Sequence, residues 1–128
     1  MNNLIDSSAW IEFFKGNKSY SFMKDLINAN AICTNDIILA ELLPSIVHKK
    51  EKKLAELLGN MMKYALIIDW EEIRDIQLLN LKQGNNNIGI SDIIIAQNCI
   101  QNDLTIIARD NHFKIMSKYL PLKTVVRS

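Results

Sequence analysis

The sequence predicts an α/β domain of three layers, with a central, mostly parallel β-sheet flanked by α-helices. Two observations predict it. Short apolar segments alternate with helical stretches along the whole chain, which implies right-handed crossovers and strands running the same way. The apolar segments are also continuous rather than alternating, as strands buried on both faces require.

The elements follow in order. Asn3 to Ile5 reads as a short buried strand. Ser7 or Ser8 can cap a helix carrying Trp10, Ile11, Phe13 and Phe14, which Gly16-Asn17 stops. Ser19 to Asn28 is expected to be a second helix and Ala31 to Cys33 a second strand. Thr34 or Asn35 caps a helix to about His48, in which Pro44 removes a backbone donor and should produce a kink. Lys52 to Lys63 is expected to be helical and Ala65 to Ile68 a third strand. Trp70 to Gln83 is a helix ended by the turn at Gly84 to Asn87. Ser91 to Asn102 is a very apolar helix and Leu104 to Ile107 a fourth strand. A short helix from Asp110 to Tyr119 and a last strand from Leu122 to Val125 complete the chain.

The whole of residues 1–128 is expected to form one domain, because a chain of this length fits a single core. Hydrophobic residues make up 48%, enough for that core without a disulfide or structural metal to staple it. No linker, repeat or low-complexity tract interrupts it. No apolar run is long enough for a membrane span, and MNNLIDSSAW lacks the pattern of a secretory signal. Cys33 and Cys99 lie in apolar runs far apart, without zinc-ligand spacing, and read as buried reduced thiols of a cytoplasmic protein. With 15 basic and 14 acidic residues, overall charge does not point to nucleic acid. Gathering several acids into one pocket leaves the remaining surface basic.

Four acids fall on one edge of this scheme. Asp6 directly follows the first strand, and Asp110 closely follows the fourth. Glu41 lies about two turns into the helix after the second strand, and Asp92 starts the helix leading into the fourth. Helices of a βαβ fold begin where strands end, so all four carboxylates project toward one edge. Each aspartate has a plainer reading as a helix-end residue favoured by the dipole, although Ser91 is available to cap the helix of Asp92. Glu41 sits in IILAELL, apolar on every side, where an unpaired charge costs several kcal/mol. It requires a basic partner or a shared cation. Oxygen donors suit hard cations such as Mg²⁺ or Mn²⁺, whose usual work among carboxylates is on phosphates. His48, within HKKEKK, reads as a solvated surface residue, and His112 as a packing or local hydrogen-bonding residue rather than a ligand.

LIDSSAWI, ICTNDIILAELL and ISDIIIAQNCIQNDLTIIARDNHF, in this order over nearly the whole chain, resemble the PIN domain in its VapC-like toxin branch. The resemblance implies that Asp6, Glu41, Asp92 and Asp110 are metal-binding and catalytic residues, with Ser7 or Ser8 helping to order the site. It implies an endoribonuclease using Mg²⁺ or Mn²⁺ to activate water, often against structured RNA such as tRNA. It further implies a homodimer, a toxin of a toxin–antitoxin pair, and a small antitoxin of the VapB type. Many relatives carry Thr where this chain has Ala108.

Rival readings are weaker. A receiver-type domain needs an acidic pair after its first strand, and a haloacid-dehalogenase phosphatase an Asp where Ser8 stands. A binding-only PIN-like module has no need of a complete acidic set. Lys82 and Arg109 are candidates for guiding RNA, and Lys49, Lys50, Lys52 and Lys53 either hold phosphates or form a solvated face.

Overall fold

The computed structural model describes residues 2–126. Its sheet has five parallel strands: β1 (Asn3–Ile5), β2 (Ile32–Thr34), β3 (Met62–Lys63), β4 (Thr105–Ala108) and β5 (Lys123–Val126), in the order β3-β2-β1-β4-β5. The helices are α1 (Ser7–Phe14), α2 (Met23–Asn28), α3 (Asp36–His48), α4 (Lys52–Gly59), α5 (Trp70–Lys82), α6 (Ile90–Gln101) and α7 (Asn111–Met116).

This strand order positions the site. From β1 the chain moves through β2 to β3, then returns past β1 to β4 and continues to β5. With right-handed crossovers, that reversal places α1 to α4 on one face and α5 to α7 on the other. The helix packing agrees: α3 packs on α1 and α4, and α6 packs on α5 and α7. The chain leaves β1 and β4 toward opposite faces, so the crevice of the switch point opens at the carboxyl ends of these two neighbours. Asp6 follows one and Asp110 lies just beyond the other.

Leu4, Ile5, Cys33 and Ile106 on the strands, with Trp10, Ile38, Ile95 and Phe113 on the helices, form the centre of the buried core. Cys33 and Cys99 are both buried free thiols, as expected.

The third strand is displaced from its expected place. Residues 65–68 do not pair in the sheet; Met62–Lys63 pair instead, and the helix before them ends at Gly59 rather than Lys63. The cause is capture of the backbone by α6. Asn98 Nδ2 donates to Ala65 O at 3.0 Å, and Gln101 Nε2 to Ile67 O at 2.8 Å. Gln97 takes both the carbonyl and the amide of Asp69, at 3.1 and 3.2 Å. Side-chain amides thus take the place of a neighbouring strand.

Smaller differences concern helix ends. The expected helix from Ser19 to Asn28 divides into a 3-10 turn at Lys18–Tyr20, capped by Asn17, and α2; Tyr20, the last residue of the turn, is fully buried. Asp6, rather than Ser7 or Ser8, caps α1. Asn35 caps α3, which continues through Pro44 without interruption. Gly89 stands at the cap of α6, so Ser91 lies inside its first turn. α7 ends at Met116, and turns carry the chain to β5.

Candidate metal centre

The four predicted acids meet at the switch point. Asp6 is held by its role as cap: its Oδ2 accepts from Ser8 N at 3.1 Å and from Ser8 Oγ at 2.5 Å. Ser8 Oγ in turn accepts from Arg109 N at 3.0 Å, which ties the start of α1 to the segment after β4. Ser7 Oγ donates to Glu41 Oε1 at 3.3 Å. The two serines thus serve different acids.

Asp92 and Asp110 converge on one imidazole. His112 Nδ1 lies 2.8 Å from Asp92 Oδ2 and 3.4 Å from Asp110 Oδ1. Asp110 caps α7, its Oδ1 accepting from His112 N at 3.0 Å. Asp92, Asp110 and His112 together present donor atoms all within 4.8 Å of one another.

The carboxyls feel each other's charge. Burial pushes the Asp6 carboxyl up from its ordinary value, hydrogen bonds from Ser8 partly offset this, and the charges of Asp92 and Asp110 raise it further. Partial desolvation at the rim of the crevice raises Glu41, as do Asp6 and Asp92, against a lowering bond from Ser7. Burial also raises Asp92, with the charge of Asp110 adding to it and His112 opposing it. Asp6 is only 5% exposed, so little solvent screens these repulsions.

Glu41 departs from the sequence expectation in one respect. It is exposed, not enclosed by apolar neighbours, because α3 buries Ile38, Leu42 and Ile46 on its other side. The strip IILAELL puts one face in the core and leaves Glu41 on the rim of the crevice, solvent on one side and the other carboxylates on the other. Among the described residues no Lys or Arg pairs with it. His112 makes the local hydrogen bonds expected of it, and one of them reaches Asp92 of a different helix. Its only sequence signal is its place in the first turn of a helix that begins beside Asp110.

The proposed RNA-guiding residues are less central. Arg109 is exposed, but its Nε lies 3.3 Å from Glu12 Oε1, and Lys15 Nζ lies 3.6 Å from the other oxygen of that carboxylate. Ser8, Arg109, Asp110 and Asn111 line a hollow of about 350 Å³ beside the acids. Lys82 ends α5, exposed and in no ion pair among the described residues. Of the basic run, Lys49 borders a groove with Glu41, while Lys50, Lys52 and Lys53 are exposed. Ala108 brings no hydroxyl; it is buried, and its carbonyl accepts from Tyr20 Oη at 3.4 Å.

Two expectations follow. Ser8→Ala removes the link between Asp6 and Arg109 N; a loss of about 1 kcal/mol in stability and a ~10- to 100-fold fall in metal affinity or activity should appear in melting curves and Mn²⁺ titrations. The second concerns pH in EDTA. A carboxyl raised in the folded chain stabilises it fully below the unfolded value of about 4 and loses that contribution as pH rises through the raised value. The parent should therefore lose stability relative to Asp6→Asn as pH rises from about 4, since Asn can still cap α1. A difference that does not change with pH would contradict the charge coupling.

An α/β domain whose switch point gathers four carboxylates has the fold and acidic cluster of a PIN-like domain. The family profile of the PIN domain matches residues 4–119, and the chain belongs to the PIN-domain family. No curated protein matched it in sequence. Among solved structures it resembles a chain of VapBC2 from Rickettsia felis, solved bound to a promoter DNA fragment, at 18% identity and TM-score 0.76 over 100% of both chains. A chain of FitAcB from Neisseria gonorrhoeae is similar at 18% identity and TM-score 0.69 over 95% of both. VapBC-5 of Mycobacterium tuberculosis, a member of the VapBC family of toxin-antitoxin systems, is similar at 14% identity and TM-score 0.67, over 99% of this chain and 100% of that one. At these identities the likeness is one of fold.

Proposed function

We propose that the protein is a Mg²⁺- or Mn²⁺-dependent endoribonuclease and the toxin of a toxin–antitoxin pair. The observation that carries this is the convergence of Asp6, Glu41, Asp92 and Asp110 at the switch point, with three of the carboxyls raised by burial and by one another. Such a set suits a hard divalent cation, which relieves the repulsion and is ligated by oxygen. When bound, the cation lowers the pKa of water and neutralises charge on a phosphodiester. The four acids would hold the cation, and their free oxygens would orient a water beside it. Ser8 fixes the rotamer of Asp6, and Ser7 that of Glu41.

RNA is the substrate, with structured RNA such as tRNA the class the family resemblance favours. Arg109 and Lys82 guide its backbone. Arg109→Ala should weaken RNA binding across sequences and lower the slope of log affinity against log salt by about 1. An unchanged slope would remove Arg109 from the RNA path.

A small antitoxin of the VapB type restrains the enzyme. The groove of about 290 Å³ between α1 and α3, lined by Ile11, Phe14, Leu42 and Ile46 and bordered by Glu41, offers it an apolar seat beside the acids. From there an Arg or Lys of the inhibitor reaches the carboxylates. The enzyme acts as a homodimer in the cytoplasm. Trp70, Leu78 and Leu81 leave an exposed apolar strip on α5 for a second copy to cover. No helix among the described residues is long and apolar enough to cross a membrane.

Mapping the ends of RNA cut by the purified protein tests the reaction. In-line attack of water leaves a 5′-phosphate and a 3′-hydroxyl. Cyclic phosphates would overturn the mechanism.

A further inference from the structure

We infer that His112 Nδ1 is itself a ligand of the cation, so that the centre is a mixed nitrogen–oxygen site that prefers Mn²⁺ to Mg²⁺. This rests on reading the acids as a metal centre, and it identifies the ion that centre selects.

Three features carry it. The first is the placement of Nδ1 close to one oxygen of each of two acids from different elements, Asp92 of α6 and Asp110 at the cap of α7. Donors bound at 2.0–2.1 Å and at right angles on one octahedral ion lie about 3 Å apart. The separations of 2.8 and 3.4 Å therefore fall at the spacing of neighbouring ligands on a single ion. The second is that one N–H on Nδ1 makes one good hydrogen bond. Asp92 is its nearer acceptor, and Asp110 Oδ1, already bound to the His112 backbone amide, stands as a second carboxylate oxygen before the same nitrogen. The third is rigidity. His112 lies in the first turn of α7, its own backbone amide bonded to Asp110, and the next residue, Phe113, is fully buried in the core. The ring is thus held at the acids by the fold.

The chemical consequence is selectivity. Mg²⁺ favours oxygen alone and is reluctant to lose its waters, whereas imidazole nitrogen suits transition ions. A neutral imidazole also fills a coordination position without adding negative charge to that of the carboxylates.

The test is pulsed electron paramagnetic resonance of the full chain loaded with Mn²⁺, beside calorimetric titrations with Mn²⁺ and Mg²⁺. The expected result is a ¹⁴N coupling of a directly bound nitrogen in the parent and its loss in His112→Ala. The preference for Mn²⁺ should fall about 10-fold in that variant. Melting in EDTA establishes that the variant folds; if it does not, the parent spectrum decides alone. Mn²⁺ bound in a manner that Asp92→Asn weakens, yet with no bound nitrogen, would overturn the assignment of His112 and leave the acidic centre standing. Failure of Mn²⁺ to bind would overturn both. Bound nitrogen in a protein that cuts no RNA would support the ligand and contradict the nuclease.

Discussion

Asp92→Asn is expected to lower RNA cleavage by at least ~100-fold, beyond the loss typical of residues that only support a metal ligand, while the metal-free protein becomes as stable as the parent or more so. The two readings of Asp92 predict opposite signs for stability. As a residue of the first turn of α6, its charge favours the helix dipole, and its loss would cost about 0.3–1 kcal/mol. It is not needed as a cap, because Gly89 occupies that position. As a member of the acidic cluster, Asp92 is destabilised by burial and by Asp110. Carboxylates about 4 Å apart repel by up to ~4 kcal/mol at an effective dielectric of 20, and solvent at the crevice reduces this to the order of 1 kcal/mol. The amide removes that repulsion and can still accept the hydrogen bond from His112. Melting curves in EDTA read the sign. In saturating Mn²⁺ the order should reverse, because an ion that binds only the folded state stabilises the parent more. An Asp92→Asn protein that still cuts RNA would take this residue out of the centre.

Asn98→Ala is expected to give the largest loss of stability with the least effect on chemistry. Asn98 is almost fully buried and joins three parts of the fold. Its Oδ1 accepts from Asn35 Nδ2 at 3.0 Å, and its Nδ2 donates to Ala65 O at 3.0 Å. Asn35 is the cap of α3, the helix that carries Glu41. In the variant Asn35 Nδ2 is left in a fully buried place without a partner, whereas Ala65 is exposed and its carbonyl can turn to water. One orphaned buried donor, one weakened bond and a small cavity together cost about 3 kcal/mol, or a fall in melting temperature of ~10 °C. Below that temperature, cleavage per folded molecule should stay within a few-fold of the parent. A variant as stable as the parent would mean that the amide links are incidental to the fold.

The same residue explains where the sequence was hard to read. Apolar continuity located β1, β2 and β4 because those strands are buried on both faces, and the order of elements placed Asp6, Asp92 and Asp110 at one edge. Residues 65–68 carry the same local signal and form no strand. What decides their fate lies some thirty residues away, in Gln97, Asn98 and Gln101, whose amides occupy the backbone that a strand would offer. These three polar residues in a very apolar helix are a visible anomaly, but their partners are set only by tertiary packing. Glu41 lies on α3 as the order of elements implies, but exposed rather than enclosed: a sequence window shows neighbours along the chain, not which side of α3 faces the crevice. His112 reads from sequence as a packing or local hydrogen-bonding residue because a histidine in a first helical turn resembles many structural ones. Only the approach of Asp92, twenty residues earlier in the chain, distinguishes it.

One acidic centre, working with a divalent cation, is proposed to cut RNA. The most direct measurement is the rate at which the purified protein cleaves an end-labelled RNA as Mn²⁺ is titrated into metal-stripped enzyme and then withdrawn with EDTA. The expected result is no cleavage without the ion, a rise that saturates as the site fills, and arrest on chelation. Cleavage that continues undiminished in excess EDTA would contradict it.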